Sequence, residues 1–182
     1  MESLRSDLIR SIILKILSLP IEILSMLNEE KFMKAAIALA ERGVENGEGG
    51  PFGCVIVKDG KIIGEGYNKV ISTNDPTAHA EIVAIRDACK NLNSFQLEEC
   101  EVYTSCEPCP MCLGAIYWAR PKAIYFGNTK EDAATIGFDD SMIYDEIRAD
   151  LNARKIPAFN ILRKEANATF VNWNERDAKK HY

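Results

Sequence analysis

Cys106, Cys109 and Cys112 stand within the stretch Tyr103-Thr104-Ser105-Cys106-Glu107-Pro108-Cys109-Pro110-Met111-Cys112, where a strand-like run meets a helix-like run. Upstream, Asp75-Pro76-Thr77-Ala78-His79-Ala80-Glu81 sets an imidazole two residues before a carboxylate, and His79 is the only histidine in the body of the chain. Thiolate and imidazole together are zinc ligands. Two arrangements are open. If His79, Cys109 and Cys112 hold the metal, a fourth position stays free for water. An unligated carboxylate such as Glu81 is then what proton transfer to and from that water requires. If Cys106 joins them, the shell is closed and the metal only staples the fold. Glu81 has no duty in the closed site, which favours the open one.

The spacing constrains the elements that must hold these groups. Cys109 and Cys112 are three residues apart and share a face if a helix begins there. Pro110 suits the first helical position, where its missing amide costs nothing, so Cys109 belongs near the N-cap. That end of a helix also favours the thiolate. His79 and Glu81 are two residues apart and would point to nearly opposite sides in mid-helix. They must sit where their helix starts.

Stepping outward, Asn28 caps an expected helix whose apolar face is Phe32, Ala35, Ala36, Leu39 and Ala40, ending near Gly43 to Gly47. Phe52 to Val57 reads as a buried strand, Asp59-Gly60 as a hairpin turn, and Lys61 to Asn68 as its partner. Ile82, Ala84, Ile85, Ala88 and Cys89 form the apolar face of the helix that carries His79. Glu101 to Thr104 is a strand, the cysteine helix runs to Ala119 before Pro121, and Ala123 to Gly127 is another strand. Gly137 to Asp140 reads as a loop, Met142 to Leu151 as a helix, Ala158 to Leu162 as a fifth strand, and Asn167 to Lys180 as a terminal helix. Strands alternating with helices give an α/β fold, a sheet covered by helices.

At 182 residues the chain is expected to form one domain. Its formal net charge of −5, with no Lys/Arg cluster, argues against a nucleic-acid partner. Cys54, Cys89 and Cys100 sit singly in apolar or helical contexts and read as free thiols, which points to a reducing, cytoplasmic location. Residues 1–27 are set apart as an N-terminal extension. Lys15, Pro20 and Glu22 interrupt its apolar residues, so it is not a membrane span, and Glu2 and Asp7 spoil a signal peptide. An amphipathic docking helix, a partner-binding helix and a true start at Met26 are the readings for it, the last preferred. Residues 28–182 are then the zinc-dependent domain.

Thr77 to Glu81 and Ser105 to Cys112 together resemble the cytidine deaminase superfamily, whose zinc-dependent members carry H-x-E followed by P-C-x-x-C. Gly49-Gly50-Pro51-Phe52-Gly53, Asn74 to Glu81, Gly114 to Pro121 and Gly137-Phe138-Asp139-Asp140 are similar to the bacterial guanine deaminases of that superfamily, and the likeness covers about residues 28 to 182. The resemblance implies a three-layer α/β/α sandwich around a mixed sheet of about five strands. It implies Zn2+ on His79, Cys109 and Cys112, with Glu81 as proton shuttle. It implies hydrolysis of guanine to xanthine and ammonia by a zinc-bound hydroxide. It also implies that Asn68 and Asp140 bind the purine, that Phe52 and Trp118 wall the pocket, and that Tyr182 closes it from an exchanged C-terminal segment of a homodimer. Read without the resemblance, Phe52 and Trp118 are core aromatics, Asn68 is a turn residue, and Asp140 is a solvated loop residue or helix cap. Two other functions remain: deamination of tRNA adenosine, cytosine or guanosine, and a zinc-stapled interaction module without catalysis.

Overall fold

In the computed structural model, which describes residues 21 to 180, strand β1 (Gly53–Lys58) is buried on both faces because its apolar residues run without a polar break. Cys54 and Ile56 enter one core and Val55 and Val57 the other, as the two-residue period of a strand requires. Burying Val55, Ile56 and Val57 stabilises the fold by about 2 kcal/mol each. On one side β1 pairs antiparallel with β2 (Lys61–Tyr67), and on the other with β3 (Glu101–Cys106). The expected hairpin turn is present, with φ of 50° at Asp59 and 71° at Gly60, the positive pair of a type I′ turn. Strand β4 (Ala123–Asn128) pairs parallel with β3 and completes the order β2-β1-β3-β4.

Helix α1 (Ile21–Glu45) covers one face, bringing Phe32 and Leu39 against Val55, Val57 and Tyr103. On the opposite face lie α3 (Ala80–Leu92) and α4 (Pro110–Ala119), which contribute Ala80, Ala84, Ala88, Ile116 and Ala119 to the second core. The helix α2 (Val70–Thr73) is a single turn between β2 and α3. The three layers and the mixed sheet are those expected. Close contact of α3 with β2 depends on Gly66, where a Cβ would fall 2.3 Å from the Ala80 carbonyl oxygen. The first turn of α3 therefore lies directly on the sheet, and this fixes His79 and Glu81 in space.

Two expectations are corrected. Asn28 does not start a helix, because α1 passes through it from Ile21. An asparagine inside a helix costs only some tenths of a kcal/mol relative to good formers, too little to stop the run from Ile21 to Leu27. Ala158 to Leu162 is not a strand, so the sheet has four strands among the described residues. Among the described residues the segment meets no strand edge. Leu162 turns into the left-handed region (φ 51°) and leads into α7 (Arg163–Asn174), an earlier start than the expected Asn167. Before it come α5 (Lys130–Thr135), α6 (Ser141–Arg148) and a 3-10 turn at Leu151–Ala153. Residues 1–20, 181 and 182 lie outside the described residues, and with them Tyr182 and most of the N-terminal extension.

Candidate active site

His79 is the N-cap of α3 and Cys109 the N-cap of α4, with Pro110 at the first helical position. Neither side chain caps its own helix, so both are released toward a shared point in front of two positive helix ends. Cys112, one turn into α4, is fully buried and meets the same point. His79 Nδ1 stands 3.5 Å from Cys109 Sγ and 3.5 Å from Cys112 Sγ, and the ligand atoms of the three residues lie within 4.8 Å of one another. Zinc bonds of about 2.3 Å to sulfur and 2.0 Å to nitrogen at tetrahedral angles put S and N about 3.5 Å apart. The triad fits zinc by geometry as well as by chemistry. Cys106 is not part of it. Its Sγ–H donates to the Thr129 carbonyl at 3.5 Å, and burial pushes its thiol up to about 11. The clustered ligand atoms are therefore three, the number of the open arrangement.

Charge in the triad is shared. The hydrogen bond from Cys112 brings the Cys109 thiol down to about 4, with help from His79 and against burial. The same bond, together with burial, holds the proton on Cys112. The bond to Cys109 raises His79. Glu81 is 6% exposed and outside the triad, and burial lifts its carboxyl above the usual carboxylate range. A carboxyl so poised takes up and gives back a proton more readily than an exposed one.

The family model for the cytidine and deoxycytidylate deaminase zinc-binding region matches residues 26–128, more than half of the chain. This chain belongs to that family. A guanine deaminase from Bacillus subtilis (strain 168) is 56% identical over 156 residues, 86% of this chain and 100% of the relative. The crystal structure of guanine deaminase from Bacillus subtilis superposes with a TM-score of 0.82 at 56% identity, covering 84% of this chain and 98% of that one. A tRNA-specific adenosine deaminase from Aquifex aeolicus (strain VF5) is 45% identical over 100 residues, 55% of this chain and 66% of the relative. The cofactor of the family is zinc, and His79, Cys109 and Cys112 are the residues that suit it.

Around this family centre the structure gathers some of the expected substrate residues. Asn68 is buried at the end of β2. Its N–H donates to the Phe52 carbonyl at 3.0 Å, and its Oδ1 accepts the Val70 N–H at 3.2 Å. The NH2 group is then the part of this amide available to a ligand. Gly49 holds it there, since a Cβ at that position would lie 2.2 Å from Asn68 Oδ1. Gly49→Ala is expected to cost about 1 to 3 kcal/mol by overpacking, measured as a lower midpoint of thermal unfolding.

Asp140 occupies the N-cap position of α6 without making a capping bond. Its neighbour Asp139 accepts the Ser141 N–H at 2.9 Å instead. Of the two aspartates, Asp139 satisfies the backbone and Asp140 is left for other work. Partial burial raises the Asp140 carboxyl, and the Cys109 thiolate adds to the shift, so Asp140 lies within electrostatic reach of that ligand. Phe52 packs edge-on against Phe138, with ring centroids 5.0 Å apart at 89°. Trp118 is 64% exposed on the outer side of α4, so its place is not enclosed by this chain alone. Sequence reasoning passed over Phe138 as a side chain, although the Gly-Phe-Asp-Asp stretch contains it. It also passed over Glu107, which accepts the Lys130 N–H at 3.2 Å.

Proposed function

We propose that this protein hydrolyses guanine to xanthine and ammonia. Asp140 carries the proposal. It is a carboxylate left without a capping bond at the start of α6, within electrostatic reach of Cys109, and it lies beyond the zinc-binding region matched over residues 26–128. The 156-residue match to the Bacillus subtilis relative must extend past it, wherever that match begins. Guanine presents an N–H and an amine on one edge, the donors a carboxylate accepts, and a carbonyl that the Asn68 NH2 group can reach.

Zinc, when bound, lowers the pKa of a water from 15.7 toward about 7 and so supplies the nucleophile at neutral pH. Glu81 accepts the proton of the attacking water. It delivers that proton to the ring nitrogen next to the carbon bearing the amine, and it passes a second proton to the departing amine, which leaves as ammonia. Asn68 and Asp140 orient the base, and Phe52 with Phe138 closes one side against water.

Adenosine in tRNA is the second reading, because the Aquifex aeolicus relative is 45% identical across the zinc-binding core. A net charge of −5 and the lack of a basic cluster weigh against a polynucleotide. Ammonia release over guanine, guanosine, adenine, cytosine and a tRNA anticodon stem-loop decides between them. Guanine is expected to be fastest, and Asp140→Ala to raise its KM by roughly tenfold or more with zinc retained. Faster turnover of the stem-loop or of cytosine overturns the assignment.

We further propose residues 28–182 as one deaminase unit, working as a cytoplasmic homodimer that exchanges its C-terminal segment. No helix among the described residues is long and apolar enough to cross a membrane. The outer edge of β4 carries no partner strand among them. Ile156, Phe159, Ile161, Leu162 and Phe170 are each more than two-thirds exposed, a heavy apolar load for one arm. A second copy supplies the missing partner at low cost, since each chain gives what it takes. Tyr182 follows that arm, and the resemblance assigns it to the rim of the partner's pocket. Sedimentation is expected to give a dimer, and removal of His181 and Tyr182 to raise KM for guanine. A monomeric wild type overturns the exchange, and unchanged kinetics after the truncation overturn the lid.

A further inference from the structure

We infer that Glu107 is a positioning residue that sets where Asp140 stands, by tying the loop that carries Cys109 to helix α5. The inference rests on the reading of Asp140 as the purine-binding carboxylate. The two loops are already joined along the backbone, where the Glu107 N–H donates to the Asn128 carbonyl at 2.8 Å. The side chain adds a different bond. Its Oε2 accepts the Lys130 N–H at 3.2 Å, so the carboxylate grips the first residue of α5, while a capping box of Thr129 and Asp132 holds the same turn. A carboxylate at that end of a helix is also favoured by the helix dipole.

From α5 the connection continues without a gap. Phe138 N–H donates to the Ala133 carbonyl at 3.0 Å and Gly137 N–H to the Ala134 carbonyl at 3.1 Å, so the turn that leads to Asp140 hangs from the last residues of α5. On the other side of Asp140, Tyr144 of α6 lies under the Lys130 ammonium at 5.0 Å from the ring centroid. Burial raises the Tyr144 hydroxyl, and the charges of Asp140 and Glu107 add to the shift. Lys130 thus joins the two sides: its N–H is held by Glu107, and its ammonium covers Tyr144, one turn along α6 from Asp140. Loss of the Glu107 carboxylate frees the start of α5 while the backbone bond to Asn128 keeps the Cys109 loop in place. The metal triad and the substrate carboxylate are the two things that must hold register in this reaction; Glu107 stands in the loop of the first and bonds the helix from which the turn of the second hangs.

Three preparations test this: wild type, Glu107→Ala and Glu107→Gln, each with zinc measured by metal analysis. Glu107→Ala is expected to keep zinc and to speed amide hydrogen exchange over residues 130–140 by about tenfold, as loss of one charge-assisted bond implies. Glu107→Gln keeps an acceptor oxygen and should restore most of the protection. For guanine, Glu107→Ala should raise KM by about tenfold with kcat changed by less than about threefold, and this effect should vanish in an Asp140→Ala background. Unchanged exchange over 130–140, additive effects of the two substitutions, or loss of zinc in Glu107→Ala each overturn the positioning role. The exchange measurement needs no substrate, so failure of the wild type to turn over guanine removes the substrate assignment and leaves the tie between the loops to stand or fall separately.

Discussion

Glu81→Gln is expected to retain zinc and to lose about 10² to 10⁴-fold in turnover of guanine, the range that a well-placed general acid–base group supplies. Glutamine matches the carboxyl in size and keeps an acceptor, but it cannot carry a proton from water to ring nitrogen or to the departing amine. The three ligands remain, since Glu81 stands outside the triad, and glutamine keeps a polar group beside Cys112. The same substitution should raise the stability of the zinc-free protein at neutral pH. Burial holds the folded Glu81 pKa above its unfolded value, so the folded state binds the proton more tightly. Stability then falls as pH rises from the unfolded pKa toward the folded one, and above both the full cost of burying the anion remains. Glutamine has no anion to bury. A zinc-free Glu81→Gln protein that unfolds at a lower temperature than wild type at pH 7 would contradict this, as would a loaded variant with wild-type turnover. Gain of stability together with loss of activity is what an active-site group held against its own preference should show.

His79 and Glu81 were legible because two residues so spaced can cooperate only at a helix start, and the structure makes His79 the N-cap. Cys109 and Cys112 were legible for a related reason, since Pro110 marks the first turn. These are local constraints, carried by neighbours in sequence. What the sequence withheld depends on distant pairing. Glu107 and Lys130 are 23 residues apart, and they meet only because β3 and β4 run parallel and end together at Cys106 and Asn128. Asn68 looked like a turn residue, and it does bond within its own turn; its burial against Gly49 comes from the packing of another loop. Asp140 was named over Asp139 by the resemblance alone, and the physical difference between the two is the Ser141 hydrogen bond. Ala158 to Leu162 has the composition of a strand, but a strand is made by the edge it meets. Asn28 shows the converse, a good cap residue overridden by the helix formers on both sides.

Cys112→Ser is expected to weaken zinc binding by at least about 100-fold, more than the loss of an outer partner costs a metal site, and to abolish turnover. Cys106→Ser is expected to do neither. The difference follows from where the sulfurs point, since Cys112 faces His79 Nδ1 at 3.5 Å, while Cys106 donates away from the triad to the Thr129 carbonyl. A serine at 106 keeps that donor, whereas a serine at 112 replaces a thiolate with a hydroxyl that stays protonated and binds zinc poorly. Chelation should expose the same contrast in stability. Zinc at 100 times its Kd stabilises the folded state by about 2.7 kcal/mol, so wild type and Cys106→Ser should melt lower after chelation, and Cys112→Ser should not respond. Were Cys106→Ser to lose zinc as readily as Cys112→Ser, the metal would have four protein ligands. The open position, and with it the hydrolytic reading of Glu81, would fall.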